Sequence, residues 1–130
     1  MREIKFRAWD KKNKFMDDGP FWVGEDGCVY DQASITYNTP NQEIELNEHL
    51  VLMQFTGLKD KNGLTDIYEG DILEFNDLDD YERGKIVFQS GAFQYLLKDG
   101  SRDLLADCKL REMSVIGNIY ENPELIKETP

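Results

Sequence analysis

The chain has 130 residues and a mass of 15.1 kDa, the length of one ordinary domain, and its 40% hydrophobic and 12% aromatic content excludes a disordered polymer. Fifteen basic against 26 acidic residues leave a net charge of −11 and a pI near 4.5, the reverse of a general phosphate-neutralising surface. No apolar run approaches the ~20 residues of a membrane helix, and Met1–Lys5 starts no signal-peptide core, so a soluble, unexported protein is expected.

The dominant period is two. In Glu3–Trp9, Ile4, Phe6 and Ala8 share one face and Lys5, Arg7 and Trp9 the other, which predicts a half-buried strand with the first set inside. Asp10–Asn13 supplies turn chemistry, and Lys14–Met16 returns as the second strand of a hairpin. Phe21–Val23 and Cys28–Tyr30 flank a tight reversal at Gly24–Gly27. Residues 31–49 read as a long connection with one short strand near Ile44–Leu46. Leu50–Thr56 is a strand, and Gly57–Gly63 a turn around Asn62-Gly63.

A turn at Glu69–Asp71 leads into a strand over Ile72–Phe75, and the acidic stretch Asn76–Glu82 reads as a hairpin tip. Gly84–Phe88 and Ala92–Leu97 are strands separated by Ser90-Gly91, and Asp99-Gly100 reverses the chain again. Ser101–Asp107 is the best helical candidate, with Ser101 as N-cap. Met113–Tyr120 closes as a strand, and Pro123 opens a single terminal helical turn. Short strands with Gly-containing turns predict an all-β fold, mainly antiparallel, of barrel or sandwich type with one or two short helical turns. One composite domain over residues 1–130 is expected, its best internal boundary near residue 57.

The charge is uneven. Residues 1–14 hold six basic side chains (Arg2, Lys5, Arg7, Lys11, Lys12, Lys14) against Glu3 and Asp10, whereas the other 116 residues carry −15. Chemistry is harder to find. Cys28 and Cys108 form no CxxC motif, and the sole histidine, His49, has no evident nucleophile partner, which leaves Ser-His, Cys-His and His-centred zinc chemistry without support. Asp77, Asp79, Asp80 and Glu82 are weak candidates for holding Mg²⁺ or Ca²⁺, since the run lacks the EF-hand pattern and its glycine. Neither GxGxxG nor GxxxxGK[ST] occurs. The expectation is no catalytic residue, no cofactor and no enzyme activity.

Four stretches recur together in one family: Ile4-Lys5-Phe6-Arg7-Ala8-Trp9-Asp10, then Phe55–Gly63 followed by Ile67–Ile72, and Val115–Leu125. In order and spacing the sequence resembles the YopX family, small proteins encoded by bacteriophages and prophages. The resemblance implies a phage gene product with a mainly β fold, acting in the host bacterial cytoplasm, and supplies no catalytic residues. The blocks also have structural readings: Gly57, Gly63, Gly70 and Gly117 suit reversals or close approach, and Asp60 and Asp71 suit Asx-type turns.

The leading functional expectation is an accessory protein acting by protein–protein contact and self-association, on phage or host proteins. Its interaction candidates are the six basic residues of the N-terminal stretch with Trp9, Trp22 and Tyr81 as exposed aromatics. Two alternatives compete with it. One is an acidic DNA mimic that blocks a host nucleic-acid-binding protein. The other is a weak nucleic-acid binder using the basic hairpin, with Trp9 on a β platform.

Overall fold

A computed structural model describes residues 3–19, 21–23, 29–31, 50–61, 63–77 and 80–126, with only the backbone at 21–23, 29–31, 77 and 80. Eleven strands and three single 3₁₀ turns make up the described elements, and no α-helix occurs among them. Every registered strand pair is antiparallel, as the period-two patterning predicts. The chain divides into two compact units, Lys5–Met53 and Gln54–Pro130 with Met1–Ile4.

In the Lys5–Met53 unit, β1 (Phe6–Asp10) and β2 (Phe15–Asp17) form the expected hairpin, with Trp9 opposite Met16 and Asp10 opposite Phe15. The turn is built by Asp10, whose Oδ1 accepts Lys12 N–H at 3.0 Å and Asn13 N–H at 2.9 Å. Its Oδ2 takes the Asn13 side-chain amide, and Lys14 N–H donates to the Asp10 carbonyl. Lys14 adopts φ 58°, the left-handed value that closes the loop. The expected inner face of β1 is corrected here: Ile4 is 70% and Phe6 38% exposed, whereas Ala8, Trp9 and Asp10 are all buried. Consecutive residues of a strand point to opposite faces, so the burial of all three means that both faces of β1 are covered at the end that pairs with β2. β3 (Phe21–Val23) and β4 (Val29–Asp31) pair as predicted, Trp22 opposite Tyr30. Gly24–Gly27, Cys28, the predicted strand at Ile44–Leu46 and His49 lie outside the described residues.

Strand β5 (Leu50–Lys59) runs further than its apolar stretch, through the residues expected to turn. Phe55 pairs with Tyr68 and Lys59 with Asp66 of β6 (Asp66–Tyr68), so two extra residues of β5 must be taken up between those pairs. Gly57, at φ 87°, absorbs them as a bulge, a backbone state that side chains rarely adopt. Thr56 seals the bulge: its hydroxyl donates to the Ile67 carbonyl at 2.7 Å and accepts Leu58 N–H.

From Gln54 to Pro130 the largest sheet has five strands, β7 (Asp71–Asp77), β8 (Asp80–Gln89), β9 (Ala92–Leu97), β10 (Arg102–Leu104) and β11 (Met113–Asn118), in the order β10-β9-β8-β7-β11. Ser90 and Gly91, at φ 53° and 78°, form the two-residue turn between β8 and β9. One face carries Leu73, Ile86, Tyr95 and Met113 into a core completed by Ile67 and Leu105. Phe75, Phe93, Leu97 and Val115 pack around them. Ile116 is an extra residue in β11, which shifts its pairing with β7 between Val115 and Gly117.

The predicted helix at Ser101–Asp107 does not form. The Asp99 carboxylate takes Ser101 N–H at 2.8 Å and its hydroxyl, and Leu97 N–H donates to the Ser101 carbonyl. Ser101 is therefore bound into the β9–β10 turn instead of capping a helix. The next three residues pair with β9, and only Leu105–Asp107 coils, as a 3₁₀ turn that drops Leu105 into the core. Leu110–Glu112 makes a second 3₁₀ turn, and Pro123–Leu125 a third with Pro123 at its start, as its sequence predicts.

Candidate functional site

The sequence-predicted interaction residues fall in different places. Lys11, Lys12 and Lys14 are exposed on the β1–β2 turn that Asp10 organises, while Lys5 and Arg7 are half-buried on the approach to it. The Arg7 guanidinium reaches to 3.9 Å from the Met53 sulfur. Trp9 is corrected: at 7% exposure it is a core residue at the covered end of β1 and offers no ring to a partner. Arg2, Asp79 and the side chains of Trp22, Asp77 and Asp80 lie outside the described residues. Among the described residues no three His, Cys, Asp or Glu side chains group as a metal site.

Tyr81 leads to a site. On β8, Tyr81, Arg83 and Lys85 alternate onto the face opposite the core. The pairing of Lys85 with Leu96, and of Leu96 with Arg102, sets these three in a row across β8, β9 and β10. Together with Lys98 in the next turn and Leu125 and Ile126 at the terminal 3₁₀ turn, they line an open groove of about 880 Å³. The signal that the sequence reading missed is the alternation Tyr81-x-Arg83-x-Lys85, hidden behind the acidic run that precedes it.

Each end of the groove is held in place. Arg83 Nε bonds Glu74 Oε2 at 3.2 Å, its Nη1 reaches the Leu125 carbonyl at 3.5 Å, and the guanidinium lies 5.3 Å from the Tyr81 ring centre. The Tyr81 hydroxyl donates to the same Glu74 oxygen at 3.0 Å. Desolvation and that hydrogen bond hold the phenol above its ordinary pKa, so it stays a neutral donor. At the other end Arg102 Nη1 meets the amide oxygens of Gln89 and Gln94, which orient the guanidinium without cancelling its charge. Glu82 also lines the groove, but its charge acts on Tyr95 and Cys108, groups on the core side of the sheet.

The residues of the recurring blocks do a different job. Asp60 is buried, and its carboxylate accepts Val115 N–H at 3.3 Å, while Lys61 N–H donates to the Met113 carbonyl. Asp71 accepts Tyr68 N–H at 2.8 Å across the β6–β7 turn, and Gly70 joins that turn to Ile86 and Ile119. The Asn118 side-chain oxygen accepts the N–H groups of Tyr120 and Glu121, and Asn122 returns to Asn118 N–H. These buried polar groups tie the blocks at 55–63, 67–72 and 113–125 to one another, which makes them the joints of the fold.

The chain is all-β, and its recurring motifs build the joints of that fold. Its family is shown directly: the YopX protein family matches residues 5–127, and the chain belongs to it. Protein EF1440 from Enterococcus faecalis is 30% identical, with 98% of this chain and 100% of that chain covered at a TM-score of 0.67. Protein yopX from Bacillus subtilis shares the fold at 19% identity and a TM-score of 0.64, over 100% of both chains. No curated protein matches the sequence.

Proposed function

We propose that the chain is a phage-encoded accessory protein of the host cytoplasm that acts by protein–protein contact and self-associates. The observation that carries this reading is the preformed basic turn: Lys11, Lys12 and Lys14 stand exposed on a loop fixed by Asp10, in a chain of net charge −11. Every copy thus presents a small cationic knob, and the acidic hairpin Asn76–Glu82 of a second copy is the complementary surface. Such a contact also covers exposed backbone near the short strand β2.

The thiol and ring environments favour contact over catalysis. Burial, aided by Asp103, Glu82 and Asp107, pushes the Cys108 thiol up to about 11, far from an activated nucleophile. The nucleic-acid alternative loses its stacking platform with the burial of Trp9. No helix among the described residues is long and apolar enough to cross a membrane.

Sedimentation velocity at low and high salt tests the reading. The wild type is expected to sediment as a multiple of 15.1 kDa in low salt, and to shift towards the monomer in high salt or on the double change K11E/K12E. A 15.1 kDa particle under every condition would sink it.

A further inference from the structure

We infer that the groove across β8, β9 and β10 is a docking site for an extended acidic and apolar peptide segment of a partner protein. The proposal shares with the proposed function only the premise of protein–protein contact, since the basic turn plays no part in it.

Charge selects the partner. Four of the nine Lys and Arg residues between Gln54 and Pro130 line this one groove, in a stretch that also holds 16 Asp and Glu. Arg83 and Arg102 are oriented, by Glu74 and by two glutamine amides respectively. Lys85 and Lys98 differ. Lys85 is half-buried on the sheet face, Lys98 is exposed at the turn, and neither has an ion-pair partner among the described residues. A partly desolvated ammonium without a counter-charge favours an arriving carboxylate. Of the three lining carboxylates, Glu82 alternates onto the core side of β8, and Asp99 stays ionised next to Lys98, held below its ordinary pKa by its hydrogen bonds from Ser101. Glu124 remains at the C-terminal rim.

Shape and polarity then separate a peptide from a nucleic acid. Between the cations the floor is aliphatic, with Leu96, Leu125 and Ile126 only partly covered, which suits Leu, Ile or Val side chains. Tyr81, 53% exposed, offers a single ring, and the Arg83 guanidinium already lies against it. A phosphate backbone would in addition meet Glu124 and the field of a −11 chain. Carboxylate, aliphatic and carboxylate side chains carried in turn on one face of an extended segment match the row Lys85, Leu96 and Arg102.

The test uses the full chain and three fluorescein-labelled probes. They are a pool of twelve-residue peptides mixing Glu or Asp with Leu, Ile and Val, the same pool with Lys for the acids, and a twelve-nucleotide oligo-dT. Anisotropy is expected to show binding of the acidic pool, at least tenfold weaker for K85E/K98E and several-fold weaker for K98E alone. Lys98 is an exposed turn residue, so the single variant folds even where the double change does not. Equal binding of the acidic and basic pools, no binding of the acidic pool, or no loss in the K98E variant would overturn the proposal. Tighter binding of oligo-dT that both variants abolish would overturn it in favour of single-stranded nucleic acid. A change in sedimenting mass with K85E/K98E would overturn it in favour of a second copy. Self-association, read from the K11E/K12E mass, stands or falls separately.

Discussion

Gly84 lies in β8 between Leu73 and Leu97 of the neighbouring strands, and the Tyr95 ring crosses over it. A Cβ added there would lie 2.5 Å from Tyr95 Cε2 and 2.7 Å from the Leu96 carbonyl oxygen. The ring is fully buried, with its hydroxyl against the Leu73 carbonyl at 3.4 Å, and the other obstacle is backbone, so neither yields cheaply. Gly84→Ala is therefore expected to destabilise the protein by about 2–3 kcal/mol through overpacking. Gly91→Ala meets nothing within 4 Å and pays only for its positive φ of 78°, about 1 kcal/mol. Urea titration of the two variants checks the ranking, and equal midpoints would count against the close approach.

The β1–β2 hairpin shows how one side chain sets an element. Asp10 is 3% exposed and satisfies two backbone N–H groups and the Asn13 amide of its own turn. Asp10→Ala leaves those donors without their acceptor, at about 1–3 kcal/mol. Asp10→Asn keeps an oxygen for the backbone and is expected to lose less. Thermal melts of both variants decide whether the turn is built this way, and an Ala variant as stable as the Asn variant would contradict it. The loss should also loosen the array of Lys11, Lys12 and Lys14 that the turn displays. The β9–β10 turn follows the same chemistry through Asp99 and Ser101, and there the local bonds override a helix-like pattern.

At the scale of the whole molecule, alkaline stability depends on phenol and thiol protons, and among the described residues Tyr95 and Cys108 are shifted furthest. Burial holds the Tyr95 phenol well above its ordinary value of 10.0 and pushes the Cys108 thiol from 9.0 up to about 11. Both groups bind their protons more tightly folded than unfolded. Their contribution is complete below the unfolded values and is lost as pH rises through the folded ones. The melting temperature is expected to hold near neutrality and to fall from about pH 9 upwards. Tyr95→Phe removes one of these titrations, so its melting temperature should decline less steeply over the same range. Parallel curves for wild type and variant would show that Tyr95 does not drive the loss.

Strand periodicity and turn chemistry were legible in the sequence because they depend on residues a few positions apart. The hairpin at Asp10, the Ser90-Gly91 turn, the pairing of Phe21–Val23 with Val29–Asp31 and the 3₁₀ turn at Pro123 all have local causes. Only the tertiary structure decided what depends on a distant partner. Cover on both faces of one end of β1 put Ala8, Trp9 and Asp10 inside and left Phe6 out, and pairing with β9 made Arg102–Leu104 a strand. Contacts more than forty residues apart joined Asp60 to Val115 and Arg83 to Leu125. The groove belongs to this second class: Tyr81, Arg83 and Lys85 share a face by local alternation, but Leu96, Lys98, Arg102 and Leu125 join them only when the sheet is assembled.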